Sequence, residues 1–388
     1  MSTHPWDQIT VEDLRRNGGR KWSEFPDKIG AFVAEMDFGT SPEVAAAVQD
    51  AVGRHHFGYA PSKAHADLAD ALAGWVGREF DWQVDPFAVV SVGDVLSAFA
   101  AVIEKFTVPG ATVVLPTPAY MPFLLIPPAL GRRVVQVPML ETAAGHWSYD
   151  FNRIEELFAE GPSLFVLCNP HNPIGKVASR EELETIARLA TQHGALVFAD
   201  EIHAGMVYEG THVPFASISE EAAACSVTST SASKAWNLPG LKCAQVIATN
   251  PEHAKALKAD EYLLIGGAGL LGVVANTAAY NGDQTWRREL VAYLDGNRRA
   301  LAEALRTHAP EIVHHSPAAT YLAWMDCSGL DLPVSAEQFF REEAGVALVA
   351  GSRCGTGYEQ YARINFATPR PVLLDAVERM GNALAARR

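Results

Sequence analysis

Residues 164–200 read LFVLCNPHNPIGKVASREELETIARLATQHGALVFAD, and this stretch decides the fold. Leu164–Cys168 is a short apolar run suited to a buried strand. A loop, 169–177, follows. Ser179 with Glu182 forms a capping box, the reciprocal hydrogen-bond pair that opens a helix. Leu183, Ile186, Ala187, Leu189 and Ala190 recur at helical spacing, and Gly194 can close the helix. Ala195–Ala199 is a second apolar run and ends at Asp200. A strand–helix–strand unit of this kind predicts a parallel sheet.

The rhythm continues outward. After Gly93, the residues Val95, Leu96, Phe99, Ile103 and Phe106 make a helical stripe. Thr112–Leu115, Ser226–Ser229 and Ala244–Thr249 read as further strands. Beyond about residue 280 the pattern changes to a long polar helix through Trp286–Leu305, then to mixed strands and helices. The expected fold class is α/β. A large domain over 45–280 would hold a mostly parallel sheet flanked by helices. A smaller α+β lobe would be built from 281–388 with the N-terminal arm, 1–44.

Composition narrows the function classes. The 388 residues carry 31 Lys and Arg against 45 Asp and Glu, a formal charge of −14. A nucleic-acid groove needs clustered cations, so none is expected. No run of about 18 apolar residues predicts a membrane span, and Met1–Trp6 has no apolar leader core. The cysteines, Cys168, Cys225, Cys243, Cys327 and Cys354, are scattered and odd in number. They suggest neither a disulfide framework nor a zinc site, and a reduced cytoplasmic setting is expected. The pairs His55/His56 and His314/His315 lack companion ligands, so no metal is expected.

In open α/β sheets, ligands bind at the carboxyl ends of the strands. Tyr120, Asn172, Asp200 and Lys234 each follow or end a predicted strand. An amine, a carboxylate, a side-chain amide and an aromatic face meeting on one sheet edge suit a pyridinium aldehyde cofactor. The amine takes the aldehyde, the carboxylate the ring nitrogen, the amide the ring hydroxyl, and the aromatic stacks on the ring.

These positions sit in recognisable motifs. Asn169-Pro170-His171-Asn172-Pro173-Ile174-Gly175, Asp200-Glu201-Ile202-His203 and Ser231-Ala232-Ser233-Lys234 resemble segments of fold-type I aminotransferases that use pyridoxal 5′-phosphate (PLP). The stretches Lys21-Trp22, Val33–Phe38, Gly58-Tyr59, Tyr321–Cys327 and Arg363–Arg370 narrow the resemblance to the cystathionine β-lyase, or C–S lyase, branch of class I/II aminotransferases.

The resemblance implies roles. Lys234 would form the Schiff base and then remove the substrate's α-proton. Asp200 would keep the pyridine nitrogen protonated, Asn172 would bond the ring hydroxyl, and Tyr120 would stack on the ring. His203 stands where most aminotransferases carry Tyr and would face the same hydroxyl. The phosphate would meet the helix start at Gly93, Asp94 and Val95, the hydroxyls of Ser231 and Ser233, and Lys242. Asp94 is awkward there, since a carboxylate repels phosphate unless it turns away to cap the helix. Lys242 replaces the Arg of many relatives and cannot make a bidentate fork. Tyr59 would reach the phosphate of a neighbouring subunit, which implies a homodimer. Arg363 would grip the substrate α-carboxylate, while Arg370 is read as structural.

The expected reaction is α,β-elimination of cystathionine or a related S-substituted cysteine, giving pyruvate, ammonia and a thiol. The alternatives are amino transfer on an L-amino acid and a PLP-binding regulatory protein. One motif is set aside. Gly267-Ala-Gly269-Leu-Leu-Gly272 matches G-x-G-x-x-G but follows a predicted helix, Glu252–Leu264, rather than a strand. In the lyase branch this stretch resembles an interhelical loop near the dimer interface.

Overall fold

The structure, a computed structural model, describes residues 4–142, 145–265 and 267–387. Its centre is a seven-stranded sheet. In chain order the strands are β1 (Val89–Val92), β2 (Thr112–Thr117), β3 (Arg133–Pro138), β4 (Ser163–Cys168), β5 (Leu196–Asp200), β6 (Ser226–Thr230) and β7 (Ala244–Ile247). Across the sheet they run β1-β7-β6-β5-β4-β2-β3.

The deciding stretch folds as its pattern predicts. β4 and β5 are parallel neighbours, with Cys168 opposite Asp200. Between them runs a helix, Arg180–His193, opened by the Ser179/Glu182 capping box and closed by Gly194 in the left-handed region. Both strands are buried along their whole length. Alternate residues serve opposite faces. Leu164, Val166 and Phe198 pack under the helix Val95–Phe106, while Phe165, Leu167, Val197 and Ala199 pack under Arg180–His193. A sheet covered on both faces leaves no polar positions, which is why these runs are continuously apolar.

Two expectations are corrected. β7 ends at Ile247 rather than Thr249; it runs antiparallel to both β1 and β6 and is, among the described residues, the one antiparallel strand of a sheet that is otherwise parallel as expected. The β6–β7 connection, 231–243, contains no crossover helix, and without one the chain returns in the opposite direction. The helix expected over Glu252–Leu264 is two, Pro251–Ala259 and Glu261–Ile265.

A second sheet is antiparallel, ordered β8 (Val313–His314), β9 (Leu322–Asp326), β11 (Tyr361–Asn365) and β10 (Val349–Ala350). Its register sets Arg363 opposite both Trp324 and Val349. The long helix Thr285–His308 packs on the C-terminal helix Arg370–Arg387 beside this sheet.

The N-terminal arm ties the two sheets together. Ile29–Gly30 pairs with Val346–Ala347, and segment 31–39 then crosses above the Lys234 turn. Asn365 Nδ2 donates to the carbonyls of Val33 and Glu35. Asn237 bonds Met36 in both directions, accepting from its N–H and donating to its carbonyl, each at 2.9 Å.

Candidate active site

The carboxyl ends of the central strands open into a cavity of about 170 Å³. Asp200 enters it as the last residue of β5, and Asn172 from the loop after β4. Tyr120 comes from the loop after β2, and Lys234 from the connection after β6. His203, Gly93, Asp94, Val95, Ser231, Ser233 and Lys242 line the same space. All the sequence-derived site residues except Tyr59 and Arg363 therefore border one cavity, and Arg363 joins it through Asn172. A wider cleft of about 580 Å³, bordered by Glu141, Lys176 and Asp326, is lined by none of them.

At the deep end the charges are buried and coupled. Asp200 is almost inaccessible, and its carboxylate accepts from the Ile202 N–H at 3.2 Å. Among the described residues it has no ion-pair partner within 4.0 Å. Burial pushes its carboxyl up to about 7, against the pull of the Ile202 N–H and of Lys234. Lys234 Nζ donates to the Ala34 carbonyl at 2.7 Å. Burial, and then the Arg363 charge, bring its amine down to about 8. Arg363 is 2% exposed; it donates to Asn172 Oδ1 at 3.1 Å and to the Phe32 carbonyl at 2.9 Å, and its Nε has no partner.

His203 is buried with Nδ1 unpartnered. Burial, then Lys234 and Arg363, hold it well below the ordinary imidazole range, so it is neutral. Tyr120 stands edge-on to Phe123, its hydroxyl kept protonated by burial.

The shallow end is built differently. Asp94 caps the helix Val95–Phe106, with Oδ1 accepting from both the N–H and the Oγ of Ser97 at 2.8 Å. Its other oxygen lies 2.8 Å from Lys242 Nζ. The awkward carboxylate is thus turned onto the helix end and paired. Ser231 Oγ donates to the Cys243 carbonyl at 2.7 Å and accepts from the Ser233 N–H at 3.0 Å. The glycine-rich 267–272 stretch closes this end by backbone approach. A Cβ on Gly93 would come 2.7 Å from the Gly267 carbonyl oxygen, and one on Gly272 would come 2.3 Å from that of Leu241. Close packing of backbone on backbone explains these glycines without a nucleotide.

Three outcomes concern residues outside the cavity lining. Tyr59 lies outside the cavity and is fully exposed. Arg370, read as structural, has its Nε donating to Asn297 Oδ1 at 3.0 Å. Among the described residues no His, Cys, Asp and Glu cluster could hold a metal.

Sequence reasoning missed three contributors. The Ala34 carbonyl accepts from Lys234 and, at 2.9 Å, from the hydroxyl of buried Tyr321. Cys168 lines the cavity, and its Sγ accepts from the Asn172 N–H at 3.5 Å. A backbone carbonyl has no sequence signature. Tyr321 and Cys168 sit in apolar strand patterns that conceal a polar duty.

The residues fit PLP on their own geometry. A buried carboxylate without a cation suits a protonated ring nitrogen, and an amine of lowered basicity suits an aldehyde. A neutral imidazole and a guanidinium, each with a free nitrogen, suit further acceptors. Comparisons with known proteins agree. The model of the family "Aminotransferase class I and II" matches residues 26–380. A cystathionine β-lyase of Corynebacterium glutamicum is 37% identical, covering 96% of this chain and 99% of its own. The PLP-bound C–S lyase of Staphylococcus hominis superposes with a TM-score of 0.89 at 27% identity, covering 98% of this chain and 99% of its own. Cystalysin of Treponema denticola, which contains PLP, gives 0.90 at 25% identity over the full length of both chains. With the fold, the cavity and these likenesses in agreement, the chain belongs to the class I and II aminotransferase family, and its cofactor is pyridoxal 5′-phosphate.

Proposed function

We propose that this chain is a carbon–sulfur β-lyase that eliminates the sulfur substituent of cystathionine or a related S-substituted cysteine, releasing pyruvate, ammonia and a thiol. The observation that carries the reading is the convergence of Lys234, Asp200, Asn172 and Arg363 on one buried site. The choice of elimination over amino transfer is supported by the β-lyase relative, alike over nearly the whole chain.

When bound, PLP supplies a cationic ring that draws electrons from the substrate's α-carbon. The chain's residues do the rest. Arg363 binds the substrate carboxylate, with Asn172 holding the guanidinium in place. Asp200 stays ionised against the ring nitrogen, because a cation there reverses the effect of burial. Lys234 Nζ takes the α-proton, and its lowered basicity keeps a neutral fraction near neutral pH. His203, neutral and with a free nitrogen, donates toward the ring hydroxyl alongside Asn172. Tyr120 offers the ring a flat face. The amides of Asp94 and Val95, the hydroxyls of Ser231 and Ser233, and Lys242 receive the phosphate.

We extend the proposal to a homodimer with a shared site. The fully exposed Tyr59, beside a Phe57 that is 65% exposed, forms an apolar projection that would reach the phosphate of a second copy. The division into a large domain, 45–280, and a small one, 281–388 with arm 1–44, belongs to the same reading, as does a cytoplasmic setting. Among the described residues no helix is long and apolar enough to cross a membrane.

The deciding experiment supplies L-cystathionine without any oxo acid and follows pyruvate and free thiol together. Sustained release of both, lost in Lys234→Ala, is expected. No pyruvate, with activity appearing only when an oxo acid is added, would make the protein an aminotransferase.

A further inference from the structure

The shallow end of the cavity contains its own anion. The cations lining the cavity are Lys234 and Lys242, and the carboxylates are Asp200 and Asp94. Lys234 is committed to the cofactor's aldehyde in the reading above, on which this inference rests. Among the described residues, Lys242 is then the one lining cation left for the phosphate.

Yet Lys242 is already engaged. Its Nζ lies 2.8 Å from Asp94 Oδ2, and Asp94 is itself anchored by the two Ser97 bonds at the helix start. The Lys242 backbone is held in the left-handed region at φ +50°, with its carbonyl accepting from the Gly269 N–H at 2.9 Å. The lysine therefore answers an arriving anion by swinging its side chain, while Asp94 stays on the helix end. A phosphate at the amides of Asp94 and Val95, the first of the helix, would sit beside that carboxylate, and like charges at this range repel.

We propose that Asp94 is a built-in competitor of the cofactor phosphate for Lys242. Binding of PLP exchanges the Asp94–Lys242 pair for a phosphate–Lys242 pair. The chain consequently holds its cofactor less tightly, and releases it faster, than the same cradle would without the carboxylate.

The test is equilibrium and release of PLP itself on the full-length, cofactor-stripped protein, read by visible absorbance on binding and its decay on dilution. Asp94→Asn removes the charge but keeps an equally good capping oxygen, and Asp94→Ser serves as a second capping variant. Both should bind PLP roughly fivefold tighter, the range of a partly exposed pair, and release it correspondingly slower. Thermal unfolding of the cofactor-free variants confirms that the helix end is intact. In a Lys242→Gln background the gain from Asp94→Asn should shrink to the part that comes from direct repulsion of the phosphate. Unchanged or weaker binding in both Asp94 variants overturns the inference, as does a gain that persists in full without Lys242. An absorbance that never develops in the wild-type chain overturns the cofactor reading and this inference together. Normal wild-type absorbance with no effect of Asp94→Asn overturns this inference alone.

Discussion

The two ends of the cavity hold similar charges in opposite surroundings. At the deep end, Asp200, His203 and Arg363 are almost inaccessible and Lys234 is half-buried, and burial shifts each of them from its ordinary ionisation. At the shallow end, Asp94 and Lys242 have side chains 36% and 63% exposed and simply pair with each other. Water screens the second pair, so its contribution is small and depends on salt. The deep groups cannot be screened. They remain strained until a ligand supplies the missing charge and hydrogen bonds. The two ends of the cavity thus differ in how they treat charge, and the difference arises from burial rather than residue type.

The largest effect tests the deep end directly. Lys234→Ala should lower pyruvate formation from L-cystathionine by about 10⁴-fold, the upper range for loss of a positioned acid–base group. A rate within tenfold of wild type would show that the base lies elsewhere.

Next comes Arg363→Lys. A lysine cannot reproduce the fork that reaches both Asn172 and Phe32 while binding a carboxylate. Steady-state kinetics should show kcat/KM reduced roughly 30-fold, mostly through KM, for a charged hydrogen bond of about 2 kcal/mol. The loss should be nearly independent of ionic strength. A strong salt dependence would place Arg363 with the exposed groups and remove the contrast.

The strain at Asp200 predicts a pH signature in the cofactor-free protein. Folding raises its carboxyl to about 7 from the ordinary ~3.9. A group raised on folding adds stability while protonated, and that stability is lost as pH rises from about 4 through 7. Asp200→Asn should therefore unfold later than wild type above pH 7, by roughly 1–3 kcal/mol, while both behave alike near pH 4. The same variant should be catalytically poor, since a neutral amide cannot hold a ring cation. Chemical denaturation at three pH values suffices, and a difference that does not grow with pH would remove the strain argument.

The smallest expected effect is at the shallow end. Ser231→Ala loses the bond to the Cys243 carbonyl and the acceptor for the Ser233 N–H. At about 1 kcal/mol, PLP affinity should fall roughly fivefold, and more steeply at low salt. Isothermal titration at two ionic strengths would show it.

Much of this site was legible in the chain. Asp200, Asn172 and Lys234 end or follow strands whose apolar runs are unmistakable, because both faces of the sheet are covered. The Ser179/Glu182 box fixed a helix start through local hydrogen bonds alone. Asp94 could be flagged as awkward, but not resolved. Its cap is local, whereas its partner Lys242 lies far along the chain and comes near only because β7 pairs beside β1. The antiparallel β7 and the divided helix at Ala259 were hidden for a similar reason: neither strand direction nor a helix break has a strong periodic signal there.

The sequence alone determined the fold class, and its motifs, by resemblance to a known family, pointed to the cofactor and to the side chains proposed to react. The elements follow from periodicity and capping, and the motifs from short runs of residue types, all of which act over a few neighbouring positions. Only the tertiary structure decided that the Ala34 carbonyl receives both Lys234 and Tyr321, that Arg363 leans on Asn172, and that Lys242 is held by Asp94. Each joins residues distant in the chain, and burial, which sets the charges at the deep end, is a property of the packed molecule rather than of any segment.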